Sequence, residues 1–258
     1  MTSTLAPPPL PPLYSPSAVA VDGVTKRYPT GLVALDGIDL HVRQGEFLCM
    51  VGASGCGKST LLNLIAGLDS PSTGTLSVAG RATLLFQEAA LLPWLTAAGN
   101  VELALRLRGV GKTQRRTRAA ELLELVHLAG MGGRRPHELS GGMRQRVALA
   151  RALAQEADVL LMDEPFGALD AMTRDLLHDE LERVWHETER TIVFVTHNVR
   201  EAARLGDRIV LLTSRPGRVA ESFDVNIARP RRIEAPEVAA LAGEVTAALR
   251  QEVARHGR

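Results

Sequence analysis

The most informative segment of this sequence is Gly52-Ala53-Ser54-Gly55-Cys56-Gly57-Lys58-Ser59-Thr60. It matches the pattern G-x-x-x-x-G-K-[S/T] and lies between an apolar run typical of a strand and a run typical of a helix. Glycines in such a segment let backbone N–H groups turn around phosphate oxygens, and the helix that follows directs its positive dipole end at them. Residues 52–60 are therefore termed the phosphate loop, and all of them are predicted to bind a nucleotide. Within the loop we expect Lys58 to reach the β- and γ-phosphates and Ser59 to coordinate Mg²⁺.

A second ligand-binding signal is the segment Val159-Leu160-Leu161-Met162-Asp163-Glu164. A continuous apolar run is typical of a central strand buried on both faces, and open α/β sheets bind ligands beyond the carboxyl ends of their strands. Asp163 ends this run and is predicted to hold Mg²⁺, directly or through water. Glu164 lies one residue further out and is predicted to polarise the attacking water.

The composition favours a globular protein with a packed core and argues against a nucleic-acid-binding or disulfide-rich protein. The chain has 258 residues, 45% of them hydrophobic and 23% charged, so we expect a packed core. Thirty basic and 29 acidic side chains leave a formal charge of +1, which argues against a nucleic-acid surface. Two cysteines, Cys49 and Cys56, have no spacing typical of a disulfide framework or metal site, which favours a reducing compartment.

Two features bear on membranes. No run of 18 or so apolar residues occurs, so any membrane-spanning segment would have to belong to a partner protein. The first residues carry Pro7-Pro8-Pro9 and Pro11-Pro12 without a basic start or an apolar core. We expect a disordered or polyproline tail there and not a signal peptide.

The order of patterns predicts an α/β layer with a mainly parallel sheet, because strand-like and helix-like segments alternate. A helical stretch between Gln87 and Ser140 interrupts that alternation and is predicted to be an insertion. An amphipathic stripe near the end predicts a helix, with Val238, Leu241, Val245, Leu249 and Val253 on one face. Strands are predicted at 18–24, 34–42, 46–51, 75–78, 82–86, 159–162, 192–195 and 209–212, and helices at 58–66, 101–107, 114–128, 142–153, 172–187 and 199–205.

The segment Leu139-Ser140-Gly141-Gly142-Met143-Arg144-Gln145-Arg146 distinguishes this chain from other proteins with a phosphate loop. From its residues alone it is a turn followed by a helix N-terminus, with a hydroxyl and backbone N–H groups available for a second anion. It resembles the signature motif of ABC transporter ATPases, with Met143 where glutamine is usual. The resemblance implies that Ser140, Gly141 and Gly142 contact a nucleotide held by a second copy, paired head to tail.

Further positions resemble the same family in the same order. Tyr28 resembles the aromatic residue that stacks on adenine, and Gln87 the glutamine that senses Mg²⁺ and water. Asp170 resembles the aspartate of the D-loop, and His197 the switch histidine that contacts the γ-phosphate. The implied catalytic set is Glu164, His197 and Gln87, and the implied metal set is Ser59, Gln87 and Asp163. The other histidines are interpreted as structural: His41, His127, His137, His178, His186 and His256.

The family resemblance also implies a domain plan. The expected fold is α/β, a P-loop NTPase (RecA-like) core with an antiparallel β subdomain and an inserted helical signature subdomain. The expected parts are a proline-rich tail at 1–17, an ATPase domain at 18–233 and a C-terminal helix at 234–258. The helical subdomain is expected at about 88–155. The strands predicted at 75–78 and 82–86 are interpreted as a short hairpin around Gly80.

The implied function is the ATP-binding and ATP-hydrolysing subunit of an importer, with ATP and Mg²⁺ as ligands. The segments Leu91–Thr96 and Arg215–Arg218 resemble the subgroup that serves nitrate, sulfonate and taurine importers. The implied partners are a second ATP-binding subunit, most simply an identical chain, the transmembrane permease and, indirectly, a solute-binding protein. The implied location is the cytoplasmic face of the membrane, with no nucleic acid as partner.

Two alternatives stay open at this point. Trp94 would suit an apolar dock for the permease, but it could equally pack within the helical subdomain. A soluble ABC-type ATPase acting on nucleic acid or ribosomes is the other class of protein. Such proteins commonly carry two cassettes or a long coiled coil, and this sequence shows neither. A metabolic kinase with a phosphate loop would not account for residues 139–146 together with His197.

Overall fold

A computed structural model describes residues 17–167 and 169–256 of the chain. The predicted proline-rich tail lies outside the described residues except for Ser17, and so does Ala168. Within the described part, no helix is both long and apolar enough to cross a bilayer. The strands are β1 Ser17–Arg27, β2 Val33–Arg43, β3 Phe47–Val51, β4 Thr73–Val78, β5 Ala82–Leu85, β6 Val159–Asp163, β7 Thr191–Val195, β8 Arg208–Leu212 and β9 Val219–Asp224. The helices are α1 Lys58–Ile65, α2 Ala97–Leu107, α3 Lys112–Leu125, α4 Gly141–Leu153, α5 Ala171–Thr188, α6 Val199–Leu205 and α7 Pro236–His256, with a 3₁₀ turn at Pro136–Glu138.

Two sheets organise these elements. The larger has six strands in the order β5-β6-β7-β3-β8-β9, parallel except for the antiparallel pair β8–β9. The smaller is antiparallel, with the order β2-β1-β4. Because β7 lies between β6 and β3, the carboxyl ends of these three strands meet at one edge of the sheet. This arrangement confirms the predicted α/β class with a mainly parallel sheet.

The core lies on both faces of the larger sheet. Every residue of β3 is buried, and alternate side chains point to opposite faces. Phe47 and Cys49 join the cluster that includes the helical region, whereas Leu48 and Met50 join the cluster under the smaller sheet. A strand buried on both faces has to be apolar at consecutive positions, which explains the continuous apolar runs in the sequence.

The helices α2, α3 and α4 stand between β5 and β6 in the chain and pack on one another. Polar side chains attach this group to the chain that follows β5. Gln145 of α4 is buried and donates to the carbonyl of Phe86 at 3.2 Å, and Arg151 donates to the carbonyls of Ala89 and Ala90. These bonds tie the signature helix to the segment that contains Gln87.

Two sequence predictions about strands were wrong. The predicted hairpin around Gly80 does not form, because β4 pairs with β1 in the smaller sheet whereas β5 pairs with β6 in the larger one. The Asp158 carboxylate accepts from the Arg81 N–H at 2.8 Å and holds the chain at the crossing point. The edge strand β9 was missed, since most of its side chains are exposed and it lacks a clear apolar alternation.

We expect the central strand β6 to be intolerant of cavities. Leu161 is fully buried, so Leu161→Ala should lower the free energy of unfolding by about 2–5 kcal/mol. Leu107→Ala is the control, because Leu107 is 79% exposed and its truncation should change stability by less than about 0.5 kcal/mol. Urea denaturation followed by circular dichroism measures both, and equal losses would contradict the core assignment.

Candidate functional site

The phosphate loop connects β3 to α1, and its glycines are required by geometry. Gly55 and Gly57 have φ values of +74° and +100°, a region that only glycine adopts without strain. A Cβ on Gly57 would lie 2.6 Å from Leu35 Cδ2 and 2.9 Å from the Ala34 carbonyl oxygen. The loop therefore packs too closely on β2 to accept a side chain at this position.

Lys58 is enclosed by the residues that precede it in the phosphate loop. Its Nζ donates to the carbonyls of Gly52 at 2.8 Å and Ala53 at 3.0 Å, and the residue is only 7% exposed. Among the residues that the structure describes, no carboxylate forms a salt bridge with it. Its third partner is the Cys56 sulfur at 3.6 Å, and a buried ammonium group with only neutral partners in the described structure has lost much of its hydration. An anion bound in the loop would compensate for that loss, so the charge of Lys58 fits a phosphate group.

Asp163 and Ser59 provide the oxygen ligands that a magnesium ion needs. Asp163 ends β6, and its carboxylate forms a side-chain hydrogen bond with Ser59 at the start of α1. Burial raises the pKa of Asp163 above its usual range, and the bond to Ser59 opposes that shift. Mg²⁺ is typically held by one or two such oxygens together with substrate phosphates and waters. The donor set therefore fits Mg²⁺ bound next to a nucleotide.

Glu164 and His197 are brought together although 33 positions separate them. His197 Nδ1 lies 3.0 Å from Glu164 Oε2. Glu164 has φ +45°, where a residue with a side chain is strained, and its N–H is held by the Val195 carbonyl. Strain of this kind persists where the surrounding structure imposes it and is concentrated at functional sites. The His197 side chain is 68% exposed, so an incoming ligand can reach it.

A buried hydrogen-bonded cluster of His178, Glu201 and Thr196, next to His197 in the chain, was not predicted from the sequence. His178 is fully buried, and its Nε2 lies 2.6 Å from Glu201 Oε1, while the other carboxylate oxygen of Glu201 accepts from the Thr196 hydroxyl. The ring of His178 also packs edge-on against Phe166, two positions beyond Glu164. This set of contacts links the segments that carry Glu164 and His197. No local signal predicts it, because its members come from separate elements.

The remaining predicted residues of the same chain lie around this site. The Tyr28 hydroxyl is 3.4 Å from the Thr60 hydroxyl, so the predicted adenine-stacking residue borders the phosphate loop. Gln87 is exposed just beyond β5, the strand next to β6, with no hydrogen bond among the described residues. Asp170 is exposed and caps α5, where the Thr173 N–H lowers the pKa of its carboxyl.

The signature residues are placed apart from the phosphate loop. Ser140 caps α4 by accepting from the Met143 N–H at 3.2 Å and faces solvent with Gly141. No hydrogen bond in the described part of the chain joins residues 140–142 to residues 52–60. The head-to-tail pairing that would bring both motifs onto one nucleotide stays a prediction from the resemblance.

Comparison with known proteins identifies the family. The model of the family described as ABC transporter matches residues 35–167, a range that includes the phosphate loop, the signature segment and both carboxylates of β6. The chain belongs to the ABC transporter family. The resemblance drawn from the sequence is thereby confirmed.

Relatives place the chain within one group of this family. It is 50% identical over 214 residues to an aliphatic sulfonates import ATP-binding protein of Agrobacterium fabrum, covering 82% of this chain and 76% of the relative. It is 44% identical to a taurine import ATP-binding protein of Rhizobium johnstonii, over 86% and 91% of the two chains. It is 46% identical to a nitrate import ATP-binding protein of Synechocystis, over 76% and 77%. Bicarbonate transport ATP-binding proteins of cyanobacteria match too, but the chain spans only 41% of their length.

Solved structures agree with the fold. The dimeric, post-hydrolysis state of an ATP-binding cassette bound to ADP and Pi superposes with a TM-score of 0.76 at 34% identity, over 81% of this chain and all of that one. The predicted P-loop NTPase fold is therefore confirmed for this cassette.

The glycine requirement of the phosphate loop is testable by stability. Gly57→Ala should lower the free energy of unfolding by about 2 kcal/mol or more, since the new Cβ is strained at positive φ and meets Ala34 and Leu35. Gly243→Ala is the matched control: it lies in α7 with open space around it and should raise stability by about 0.5–1 kcal/mol. Urea titration of both variants measures the difference, and a neutral Gly57→Ala would contradict the packing described for the loop.

Proposed function

We propose that this chain is the ATP-hydrolysing subunit of an ABC importer that takes up a small solute carrying an oxyanion group, such as nitrate, a sulfonate or taurine. The observation that carries the proposal is the pair Glu164–His197 at 3.0 Å, on the sheet edge where the phosphate loop and Asp163 also lie. The names of the sulfonate, taurine and nitrate relatives support the importer role and the class of solute.

In this proposal each residue of the site has one task. Lys58 and the backbone N–H groups of the loop bind the phosphates, and Tyr28 stacks on adenine. Ser59, Asp163 and Gln87 would hold Mg²⁺, which would supply positive charge to neutralise the phosphates. Glu164 accepts a proton from the attacking water, and His197 orients Glu164 and contacts the γ-phosphate.

A second copy completes the site. Ser140 and Gly141 are exposed and Gly142 is half-buried at the N-terminus of α4, where backbone N–H groups and the helix dipole favour an anion. We propose that they bind the γ-phosphate of ATP held by the partner cassette, with Asp170 also at this interface. ATP then favours the closed pair because only ATP bridges both halves, and hydrolysis removes the bridge. The dimeric structures of a related cassette support the pairing of two copies.

Replacing the proposed base should separate hydrolysis from binding. Glu164→Gln should lower ATP turnover at least about 100-fold, because the amide cannot accept the proton. It should still bind ATP and form an ATP-dependent dimer, since no binding group is removed. Phosphate release and size-exclusion chromatography in ATP and Mg²⁺ measure the two effects.

The control for that experiment is Glu187→Gln, which removes an exposed carboxylate paired with Arg183 on α5. It should hydrolyse ATP at the wild-type rate. Turnover of Glu164→Gln close to that of this control would contradict the role of Glu164.

Trp94 is proposed to dock the permease. The residue is 68% exposed, which favours docking over packing within the helical subdomain. Together with Leu92, Leu95 and Leu103 it lines a cavity of ≈ 370 Å³ beside α2, whose lining also includes Glu102, Arg106 and Arg115. An exposed aromatic side chain beside such a cavity is typical of a residue that is buried when a partner binds.

Truncation of Trp94 should therefore uncouple the cassette from its membrane partner. Trp94→Ala should lose copurification with its permease, because a buried aromatic anchor contributes about 2 kcal/mol or more to an interface. ATP binding by the isolated chain should be unchanged. Val253→Ala, which trims an exposed residue of α7, is the control and should copurify normally. Retention of the permease by Trp94→Ala would contradict the docking role.

A further inference from the structure

The turn between β8 and β9, residues 213–218, lies directly against the phosphate loop. It contains Arg215-Pro216-Gly217-Arg218, and the mechanism proposed above assigns it no task. Arg215 Nε donates to the carbonyl of Gly55 at 3.2 Å, across 160 positions of sequence. The guanidinium also covers Gly55 closely, since a Cβ built on that glycine would lie 3.0 Å from Arg215 Nη2.

Gly217 makes a second contact between the same turn and the loop. A Cβ on Gly217 would lie 2.2 Å from the Cys56 carbonyl oxygen, so the backbone of the turn packs on that carbonyl without room for a side chain. Two successive carbonyls of the loop, those of Gly55 and Cys56, therefore face the turn. The C=O and N–H of one trans peptide point in opposite directions. The N–H groups of Cys56 and Gly57 are consequently directed away from the turn, and that of Cys56 donates to Ala53 within the loop.

The turn is anchored independently of the phosphate loop. The N–H of Gly217 donates to the Ala34 carbonyl at 2.9 Å, and its own carbonyl accepts from the Asp36 N–H at 2.9 Å. Within the turn, the Thr213 hydroxyl donates to the Pro216 carbonyl and accepts from the Arg218 N–H. Because β2 holds the turn at Gly217, Arg215 is presented to the loop from a fixed position.

We propose that Arg215 is a positioning residue for the phosphate loop. By donating to the outward Gly55 carbonyl, its guanidinium fixes the Gly55–Cys56 peptide, whose N–H closes a turn onto the Ala53 carbonyl, and so holds the loop in its phosphate-binding conformation. A charged donor makes a stronger bond to such a carbonyl than a neutral one. The Arg215 side chain acts from outside the loop, through the backbone. This inference rests on the proposed nucleotide site.

The test compares Arg215→Gln with Arg218→Gln. Both remove one positive charge from the same turn, but Arg218 pairs with Asp36 and, in the described part of the chain, forms no hydrogen bond or salt bridge with the loop. Arg215→Gln should weaken the binding of Mg²⁺–ADP to the purified chain about fivefold, since it loses a charge-assisted hydrogen bond on a partly hydrated surface. Arg218→Gln should stay within about twofold of wild type, because the backbone of Gly217 still anchors the turn. Arg215→Lys, which keeps a charged donor, should fall between wild type and Arg215→Gln.

Two further readouts distinguish positioning from other roles. The fivefold loss should persist between about 0.05 M and about 0.5 M KCl, because a direct bond to the loop is screened less than a distant charge. In ATP hydrolysis the loss should appear in KM while kcat stays within about twofold, since the reacting groups are untouched.

Clear outcomes would overturn the inference. Equal affinity of Arg215→Gln and Arg218→Gln, or a loss that vanishes at high salt, would show that Arg215 contributes only charge. A loss confined to kcat would assign it to catalysis or pairing. If the wild-type chain itself fails to bind Mg²⁺–ADP, the proposed function and this inference fall together. Binding by the wild type with no defect in Arg215→Gln overturns the inference alone.

Discussion

The parallel pairing of β7 with β6 on one side and β3 on the other is the constraint on which the site depends. Val195 is the residue where the two pairings meet, because it lies opposite Asp163 of β6 and opposite Met50 of β3. Backbone bonds extend this junction past the strand ends: the Glu164 N–H donates to the Val195 carbonyl, and the Thr196 N–H donates to the Met50 carbonyl. The phosphate loop, the acidic pair and His197 therefore leave the sheet side by side. A shift of one register would separate them.

The site concentrates features that cost stability, and the core around it offsets them. Lys58 is a buried ammonium whose hydrogen-bond partners in the described structure are all neutral, Asp163 is a partly buried carboxyl, and Glu164 has a left-handed backbone. The strands beneath them are buried on both faces, with Phe47, Phe194 and Leu161 among the fully buried side chains. Buried charges and a strained backbone next to a well-packed sheet are typical of ligand sites. Nucleotide phosphates would relieve the cost at Lys58, and Mg²⁺ would relieve that at Asp163, so binding and local stability are linked.

The motif residues could be assigned from the sequence because each motif is local. A phosphate loop needs its glycines, lysine and hydroxyl within one turn between a strand and a helix, and the acidic pair needs only the strand that it ends. Errors arose where pairing is not local. The chain on either side of Gly80 reads as two strands joined by a tight turn, yet it enters two different sheets because Asp158 holds the crossing point. β9 is an exposed edge strand whose pairing with β8 leaves little apolar pattern to detect.

The sequence by itself determined the fold class, the family and the residues that would hold phosphates, because periodicity and short motifs carry that information within single elements. Only the tertiary structure decided how those residues meet. It set Glu164 and His197 at 3.0 Å, left Trp94 and the signature residues facing solvent, and brought Arg215 onto the Gly55 carbonyl. Contacts of this kind depend on strand order and on turns between distant segments. No local pattern predicts these contacts, because the sequence around each residue reflects only the helix, strand or turn in which that residue lies.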